Sequence, residues 1–317
     1  VLEGDEMGKK SENYLHLADL PLQELITQAL ELKFQHRGMN FGLCTISNAR
    51  SGRCSEDCAF CAQSSRHRCD IETYGLRPAA EILDEARRAK EAGAQRFSMV
   101  TSGRGLSTEQ VENICSIVIA IRENLDIEVC CSLGILSREQ LEMLKDAGVS
   151  RYHHNIETSE EFFHRICTTH QFHHRIATIQ AAQDAGLEVC SGGIIGMGED
   201  IHDRISMAET LSRLQVDSMP LNILVPIKGT RLYGIGMLPV AEIIRTVAIW
   251  RIIHPDAALR IAGGRETVLK DLQPVAFMAG ADAMLIGGYL TVRGRAVEAD
   301  LEMVREIEGL WKEMYQR

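Results

Sequence analysis

No stretch of 18 consecutive apolar residues occurs in the 317-residue chain, so a membrane-spanning helix is not expected. No block of lysines and arginines occurs either. Acidic side chains outnumber basic ones, 44 to 34, for a formal net charge of −10. That balance excludes an extended surface for nucleic acid or anionic membrane. The start of the chain lacks a signal-peptide pattern. Low-complexity tracts and Pro/Gly-rich linkers are missing as well. Residues Val1 to Lys10 are left out of the fold argument. What is present is 45% hydrophobic residues, enough for a substantial core, and ten cysteines, at 44, 54, 58, 61, 69, 115, 130, 131, 167 and 190. Without a secretory signal these do not read as a disulfide framework. A reducing cytoplasm and metal ligation fit them better.

Three of the ten lie in one loop, Gly52-Arg53-Cys54-Ser55-Glu56-Asp57-Cys58-Ala59-Phe60-Cys61-Ala62-Gln63-Ser64, at CxxxCxxC spacing. The loop has no fourth cysteine, whereas a closed structural zinc site takes four protein ligands. Three thiolates suit a cubane iron–sulfur cluster with one iron left open to a substrate or cofactor.

The rest of the chain alternates. Short apolar runs at Phe41–Ile46, Arg96–Thr101, Ile127–Leu133, Tyr152–Ile156, Leu187–Ile194, Ser218–Val225, Leu259–Ala262 and Ala283–Ile286 read as strands. Helical periodicity marks Ala79–Ala92, Thr108–Asn124, Ser137–Ala147, Phe172–Ala185, Asp203–Leu214, Val240–Ile253 and Val268–Ala279, with a shorter segment at Ser159–Ile166. Four helices end on Ala-Gly, with Gly93, Gly148, Gly186 and Gly280 expected at C′ with positive φ. Ser137, ahead of Glu139 and Gln140, is a candidate N-cap. Eightfold strand–helix alternation predicts an α/β fold, a (β/α)8 barrel of the TIM type, over an open doubly wound sheet. An N-terminal helical extension (1–40, helix from Leu17 to Phe34) precedes the barrel (41–297), and a C-terminal helix (298–317) packs on it. On this fold sites lie at the C-terminal ends of the strands, which puts the cysteine loop at the barrel mouth.

Cys-x-x-x-Cys-x-Phe-Cys resembles the signature of radical S-adenosylmethionine (SAM) enzymes. The longer string from Cys44 to Ser64 resembles the biotin synthase family more closely still, and further matches run from about residue 20 to residue 305. The resemblance implies that Cys54, Cys58 and Cys61 ligate a [4Fe–4S] cluster whose open iron chelates SAM, with Phe60 beside the adenine. Ser191-Gly192-Gly193-Ile194-Ile195-Gly196-Met197-Gly198-Glu199 is similar to the family's adenine-binding GxIxGxxE element, with Ile194 or Ile195 against the base. In Tyr152-His153-His154-Asn155-Ile156-Glu157, alternation puts His153, Asn155 and Glu157 on one face. By resemblance Glu157 lies near the SAM ribose and Asn155 between SAM and substrate, while the two histidines read as structural. Arg175 matches the arginine that contacts the SAM carboxylate. Asn222, a polar residue in an apolar strand, matches a contact to the ureido ring of dethiobiotin.

Biotin synthases hold a second, sacrificial cluster deeper in the barrel, on three cysteines and one arginine. Cys130 and Cys190 match two of the cysteines and Arg265 matches the arginine. Ser98 stands where the third cysteine belongs. Cys44 or Cys131 could replace it. Cys44 is favoured, because Cys131 adjoins Cys130 and must face the opposite side of the strand. The auxiliary cluster is then two-iron or a four-iron variant, with Arg265 a ligand or a nearby charge. Cys69, Cys115 and Cys167 read as incidental. Tyr289-Leu290-Thr291-Val292-Arg293-Gly294-Arg295 resembles the family's substrate-end segment, with Val292 in place of one threonine of a pair.

The implied activity is sulfur insertion into dethiobiotin to give biotin. It needs a flavodoxin- or ferredoxin-type electron donor, and the family tends to form homodimers. The alternatives are a single-cluster radical SAM barrel of hydrogenase-maturase-like or methylornithine-synthase-like type, or a non-catalytic Fe–S electron-transfer protein.

Overall fold

The structure is a computed structural model that describes residues 14–288, 290 and 294–315. Nine parallel strand segments run β1 (Gly42–Arg50), β2 (Arg96–Thr101), β3 (Glu128–Ser132), β4 (Arg151–His153), β5 (Glu188–Cys190), β6 (Gly193–Ile195), β7 (Ser218–Ile223), β8 (Ala258–Ile261) and β9 (Ala283–Leu285). The hydrogen-bonded order is β5-β4-β3-β2-β1-β9-β8-β7-β6, and a further β5–β7 pairing, Cys190 to Ser218, closes the barrel. β5 and β6 are two halves of one stave interrupted at Ser191-Gly192, so eight staves result and the open-sheet alternative is excluded.

The outer helices are α1 (Leu22–Arg37), α2 (Ala79–Glu91), α3 (Thr108–Asn124), α4 (Arg138–Asp146), α5 (Glu160–Ile166), α6 (Phe172–Asp184), α7 (Ile201–Arg213), α8 (Val240–Ile253), α9 (Arg265–Val268), α10 (Gln273–Met278) and α11 (Val297–Tyr315). Ser137 accepts from the Gln140 amide in a full capping box, which satisfies N-terminal donors of α4. Gly93, Gly148, Gly186 and Gly280 all take positive φ, as their Ala-Gly context predicts.

Three expected elements differ. The N-terminal helix is a 3-10 turn at Tyr14–Ala18 followed by α1, because Pro21 precludes an unbroken helix and sits as the N-cap of α1. The predicted Val268–Ala279 helix is broken into α9, a 3-10 turn (Lys270–Leu272) and α10. β4 stops at His153, because the chain beyond it turns through Glu157, whose φ of +72° is left-handed.

Side-chain parity divides each stave. Phe97 and Met99, Val129 and Cys131, and Leu259 and Ile261 pack under the helices, while their neighbours face the lumen. α1 packs along α8, and the later part of α11 meets α1 and the residue ahead of β1. Trp311 meets Phe34 edge-on at 6.2 Å and Phe41 at 5.6 Å, and the buried Lys33 ammonium lies 3.1 Å from the Trp311 ring centroid. Among the described residues no helix is long and apolar enough to cross a membrane. Of the substrate-end segment, Tyr289 and Thr291 to Arg293 lie outside the described residues.

Candidate active site

The cysteine loop leaves the end of β1 and is held by its own backbone. Cys54 N–H donates to Gln63 O (3.0 Å), Ser65 N–H to Cys54 O (2.8 Å), and Gly52 N–H to the Gln63 side chain (3.0 Å). Two acidic residues tie the loop to the α5–α6 turn. Asp57 accepts from Thr168 N–H (2.8 Å) and Thr168 Oγ1 (2.6 Å). Glu56 accepts from Thr169 Oγ1 (2.6 Å) and His170 Nδ1 (2.5 Å). Burial opposes both charges, but these donors outweigh it and hold both carboxyls below the usual carboxylate range.

Cys54, Cys58 and Cys61 border one cavity of about 170 Å³, together with Phe60, Asn155, Glu157, His170 and Arg175. They are free thiols around a shared space, which fits soft-metal ligation by three thiolates. Arg175 is fixed on α6 by donating Nε–H to His170 Nε2 (3.1 Å) and Nη1–H to Asn155 O (2.9 Å), with Glu157 Oε1 at 3.4 Å. Asn155 donates to Glu157 Oε2 (3.2 Å) and accepts from Gly192 N–H (3.1 Å). Arg175, Asn155 and Glu157 therefore form one preorganised polar edge facing the three thiols. It can take an amine, a carboxylate or a diol.

The glycine element serves the same edge. Glu157 O accepts from Ile194 N–H (2.8 Å), and an isolated bridge joins Glu157 to Gly193. A Cβ on Gly193 would collide with Glu157 O and the Met207 sulfur, and one on Gly192 with Pro220 O. Glu199 does not face the cavity. It accepts from Gly196 N–H (2.8 Å) and Met197 N–H (2.7 Å) and pairs with Arg204 (2.9 Å), so it locks the turn. Ile194 lines the lumen, whereas Ile195 is fully buried beneath the helices. Of the two isoleucines only Ile194 can reach a ligand.

A second cavity of about 240 Å³ fills the lumen below and shares Phe60, Cys61, His153, Asn155 and Glu157 with the first. Cys44 (β1), Ser98 (β2), Cys130 (β3) and Cys190 (β5) line it, with Arg96, Arg151 and Arg260. Strand register sets their levels: Ser98 pairs with Cys130, Cys130 with Arg151, and His153 with Cys190. Cys131 faces the helix layer. Burial pushes the Cys44 thiol up and the Cys130 thiol up to about 11. Burial also works against the Cys190 thiolate, but His153, Arg260 and Arg151 overcome it and bring that thiol down to about 5.

The lumen also corrects the sequence reading. Arg265 is not among these cysteines. It opens α9, beyond the end of β8, and its guanidinium is spent on Asp300 (2.5 Å), Gln273 and Leu285 O (3.0 Å), which dock α11. The arginine that meets the cysteines is Arg260, whose Nη1 lies 3.4 Å from Cys190 Sγ. Its buried Nε–H has no partner among the described residues, so the lumen has a cation and a donor to spare for an anionic, sulfur-rich group. Alternation along Leu259-Arg260-Ile261 carried that signal. His153, paired with Cys190 across β4 and β5, also lines this cavity, so it is a lumen residue and not merely structural. Asn222 is at the cavity wall, with its amide donating to Gly193 O (3.2 Å) and accepting from Gly263 N–H (3.0 Å). Cys167 is not incidental: its sulfur lies 4.0 Å from Cys58 Sγ.

An eight-stave barrel with three thiols at its mouth, opening onto a second thiol-lined chamber, is the architecture of a radical SAM enzyme. The sequence profile described as the Radical SAM superfamily matches residues 49–211, and the Biotin and Thiamin Synthesis associated domain matches residues 220–309. Biotin synthase from Pelotomaculum thermopropionicum is 49% identical over 287 residues, covering 90% of this chain and 89% of that protein. The biotin synthase of Heliobacterium modesticaldum is 52% identical over 265 residues, 84% and 81% of the two chains. That of Pelobacter propionicus is 44% identical over 311 residues, 97% and 94%. The chain belongs to the biotin synthase family of radical SAM enzymes. Among solved structures, methylornithine synthase superposes with a TM-score of 0.79 at 19% identity, covering 94% of this chain and 91% of that one. The FeFe-hydrogenase maturase of Carboxydothermus hydrogenoformans superposes with 0.79 at 18%, covering 92% and 73%. At that identity the likeness is one of fold.

Proposed function

We propose that the protein converts dethiobiotin to biotin by SAM-dependent radical sulfur insertion, with the sulfur drawn from an auxiliary cluster in the lumen. The observation that carries this reading is the pair of thiol sets on connected cavities: Cys54, Cys58 and Cys61 above, Cys44, Cys130 and Cys190 below. When bound, the upper cluster and SAM supply a carbon radical able to remove hydrogen from an unactivated carbon, and the lower cluster supplies sulfide.

The chain's own residues orient and enclose. Arg175 and Glu157 offer opposite charges to the amino-acid end and the ribose of SAM, with Phe60 and Ile194 as the apolar walls for adenine. Asn155 stands between the two chambers and Asn222 beside the lower one. Each keeps one amide N–H and one oxygen lone pair free of backbone, a match for a cyclic urea. Leu285, Ile46 and Ala262 line the lower chamber with apolar surface and limit water there. No side chain is assigned as a general acid or base.

Cys44, Cys130 and Cys190 are the proposed thiolate ligands of the auxiliary cluster, which is two-iron or a four-iron variant. Arg260 replaces Arg265 as the arginine in contact. The same reading carries a flavodoxin- or ferredoxin-type donor, a cytoplasmic setting and a homodimer. The test is incubation of the anaerobically loaded protein with SAM, reductant and dethiobiotin, with biotin and 5′-deoxyadenosine quantified by mass spectrometry. Both products are expected. Deoxyadenosine without biotin would assign a different radical SAM reaction, and neither product would remove the enzyme reading.

A further inference from the structure

Cys167 is the buried nucleophilic group that the proposed reaction leaves unused. It caps α5, and the segment that carries it is clamped to the cysteine loop. Ala59 N–H donates to Ile166 O (2.7 Å) on one side of the pair, and Thr168 N–H donates to Asp57 (2.8 Å) on the other. The clamp sets Cys58 Sγ and Cys167 Sγ side by side at 4.0 Å, both in free thiol form. Around the Cys167 sulfur lie His170 Nδ1 (3.2 Å), Asp57 Oδ1 (3.4 Å) and Thr169 Oγ1 (3.6 Å). Only Cys58 of the pair borders the cavity at the mouth; Cys167 sits behind it at 3% exposure. A small oxidant entering that cavity meets Cys58 first, with Cys167 poised at its back.

We propose that Cys58 and Cys167 are a redox-active dithiol of the cluster-free protein, whose oxidation to a disulfide withdraws Cys58 from cluster ligation. The ligation half of this statement rests on the function proposed above. With a low-molecular-weight disulfide as oxidant the chemistry is two exchanges. The Cys58 thiolate attacks one sulfur of the small disulfide and releases one small thiol, leaving a mixed disulfide on Cys58. The Cys167 thiolate then attacks Cys58 Sγ and expels the second small thiol. One protein disulfide forms, the small disulfide is reduced to two thiols, and the two cysteine protons end on those thiols. The clamp makes the second step intramolecular and short. In the oxidised form only Cys54 and Cys61 remain at the mouth, too few to hold three irons, until a dithiol reductant reopens the bond.

The test uses the full-length cluster-free protein treated anaerobically with oxidised glutathione, then alkylated and mapped by peptide mass spectrometry. The expected linkage is Cys58–Cys167. In Cys167→Val, and in Cys167→Ser should the first variant fold poorly, Cys58 instead retains a glutathione adduct. Oxidised wild type is expected to accept no [4Fe–4S] cluster at the mouth from a preassembled donor complex until dithiothreitol is added, whereas untreated protein accepts it directly. A disulfide within the loop, Cys54 to Cys58 or Cys58 to Cys61, would overturn the proposal, as would wild type that keeps all its thiols. If the Cys58–Cys167 bond forms but fully reduced protein takes up no cluster at the mouth, the redox pair stands and the ligation reading fails.

Discussion

Removing the Asp300 carboxylate separates the two accounts of Arg265 most sharply. Asp300 is fully buried in α11, and its Oδ2 meets Arg265 Nη2 at 2.5 Å, while Oδ1 has no partner among the described residues. Asp300→Ala therefore strands a guanidinium that is 2% exposed, with Gln273, the Leu285 carbonyl and the partly exposed Glu266 left to it. Breaking a buried pair by deleting one partner costs about 3–5 kcal/mol, roughly 5–10 °C in melting temperature for a chain of this size. Replacing both members with apolar residues, Arg265→Met with Asp300→Leu, is expected to recover most of that loss, since neither charge is then buried alone. The assay is thermal unfolding of cluster-free protein, paired with iron analysis of loaded protein. The prediction is a large stability loss in Asp300→Ala, recovery in the double variant, and auxiliary iron retained in both. A loss below about 1 kcal/mol, or loss of auxiliary iron in the double variant at full stability, would refute the anchoring role and return Arg265 to the lumen chemistry.

Gly192→Ala is expected to yield little folded protein, because the new methyl meets the Pro220 carbonyl with both strands fixed; wild-type solubility and melting temperature would count against the close-packed reading of that turn. His254 donates Nε2–H to Ala208 O (2.8 Å), and burial first, then Arg251, lower its pKa to about 4 from the ordinary 6.5. Above pH 6.5 both folded and unfolded forms are neutral and the stability is intact. As pH falls toward 4 only the unfolded chain takes the proton, so on the order of 3 kcal/mol is lost across that window. His254→Gln, which keeps an N–H donor, is expected to flatten that part of the stability–pH curve, and an unchanged slope would contradict it. Asp57→Asn exchanges an acceptor of backbone and hydroxyl donors for a group that also donates. It is expected to loosen the loop and lower iron loading at the mouth several-fold while leaving the lumen iron in place.

The barrel was legible because its signals are local and repeated. Each Ala-Gly stop, the Ser137 cap and the apolar runs speak for their own segment, and eight repetitions leave little choice of fold. Parity was equally legible where two candidate residues adjoin, as for Cys130 against Cys131. What failed depended on where a strand ends. Arg265 lies only five residues past Arg260, yet one is the opening residue of a helix and the other faces the lumen, and motif position alone does not carry strand register. Ile195 was ambiguous only because the motif gives no register; counting alternation on from Cys190 puts Ile194 in the lumen and Ile195 under the helices, as the structure has them. Cys167 was invisible in sequence because its partner is 109 residues away, joined to it only by the docking of the α5–α6 turn on the cysteine loop.

The central claim is that the lumen holds a second cluster that does not depend on the loop cysteines. Its most direct test is iron and sulfide analysis with Mössbauer spectroscopy on anaerobically loaded protein carrying Cys54→Ala, Cys58→Ala and Cys61→Ala together. The account predicts that iron remains, with a spectrum that identifies a two-iron or four-iron cluster, and that further replacement of Cys44, Cys130 or Cys190 removes it. A triple variant devoid of iron would make the lumen cysteines core residues and end the sulfur-donor role.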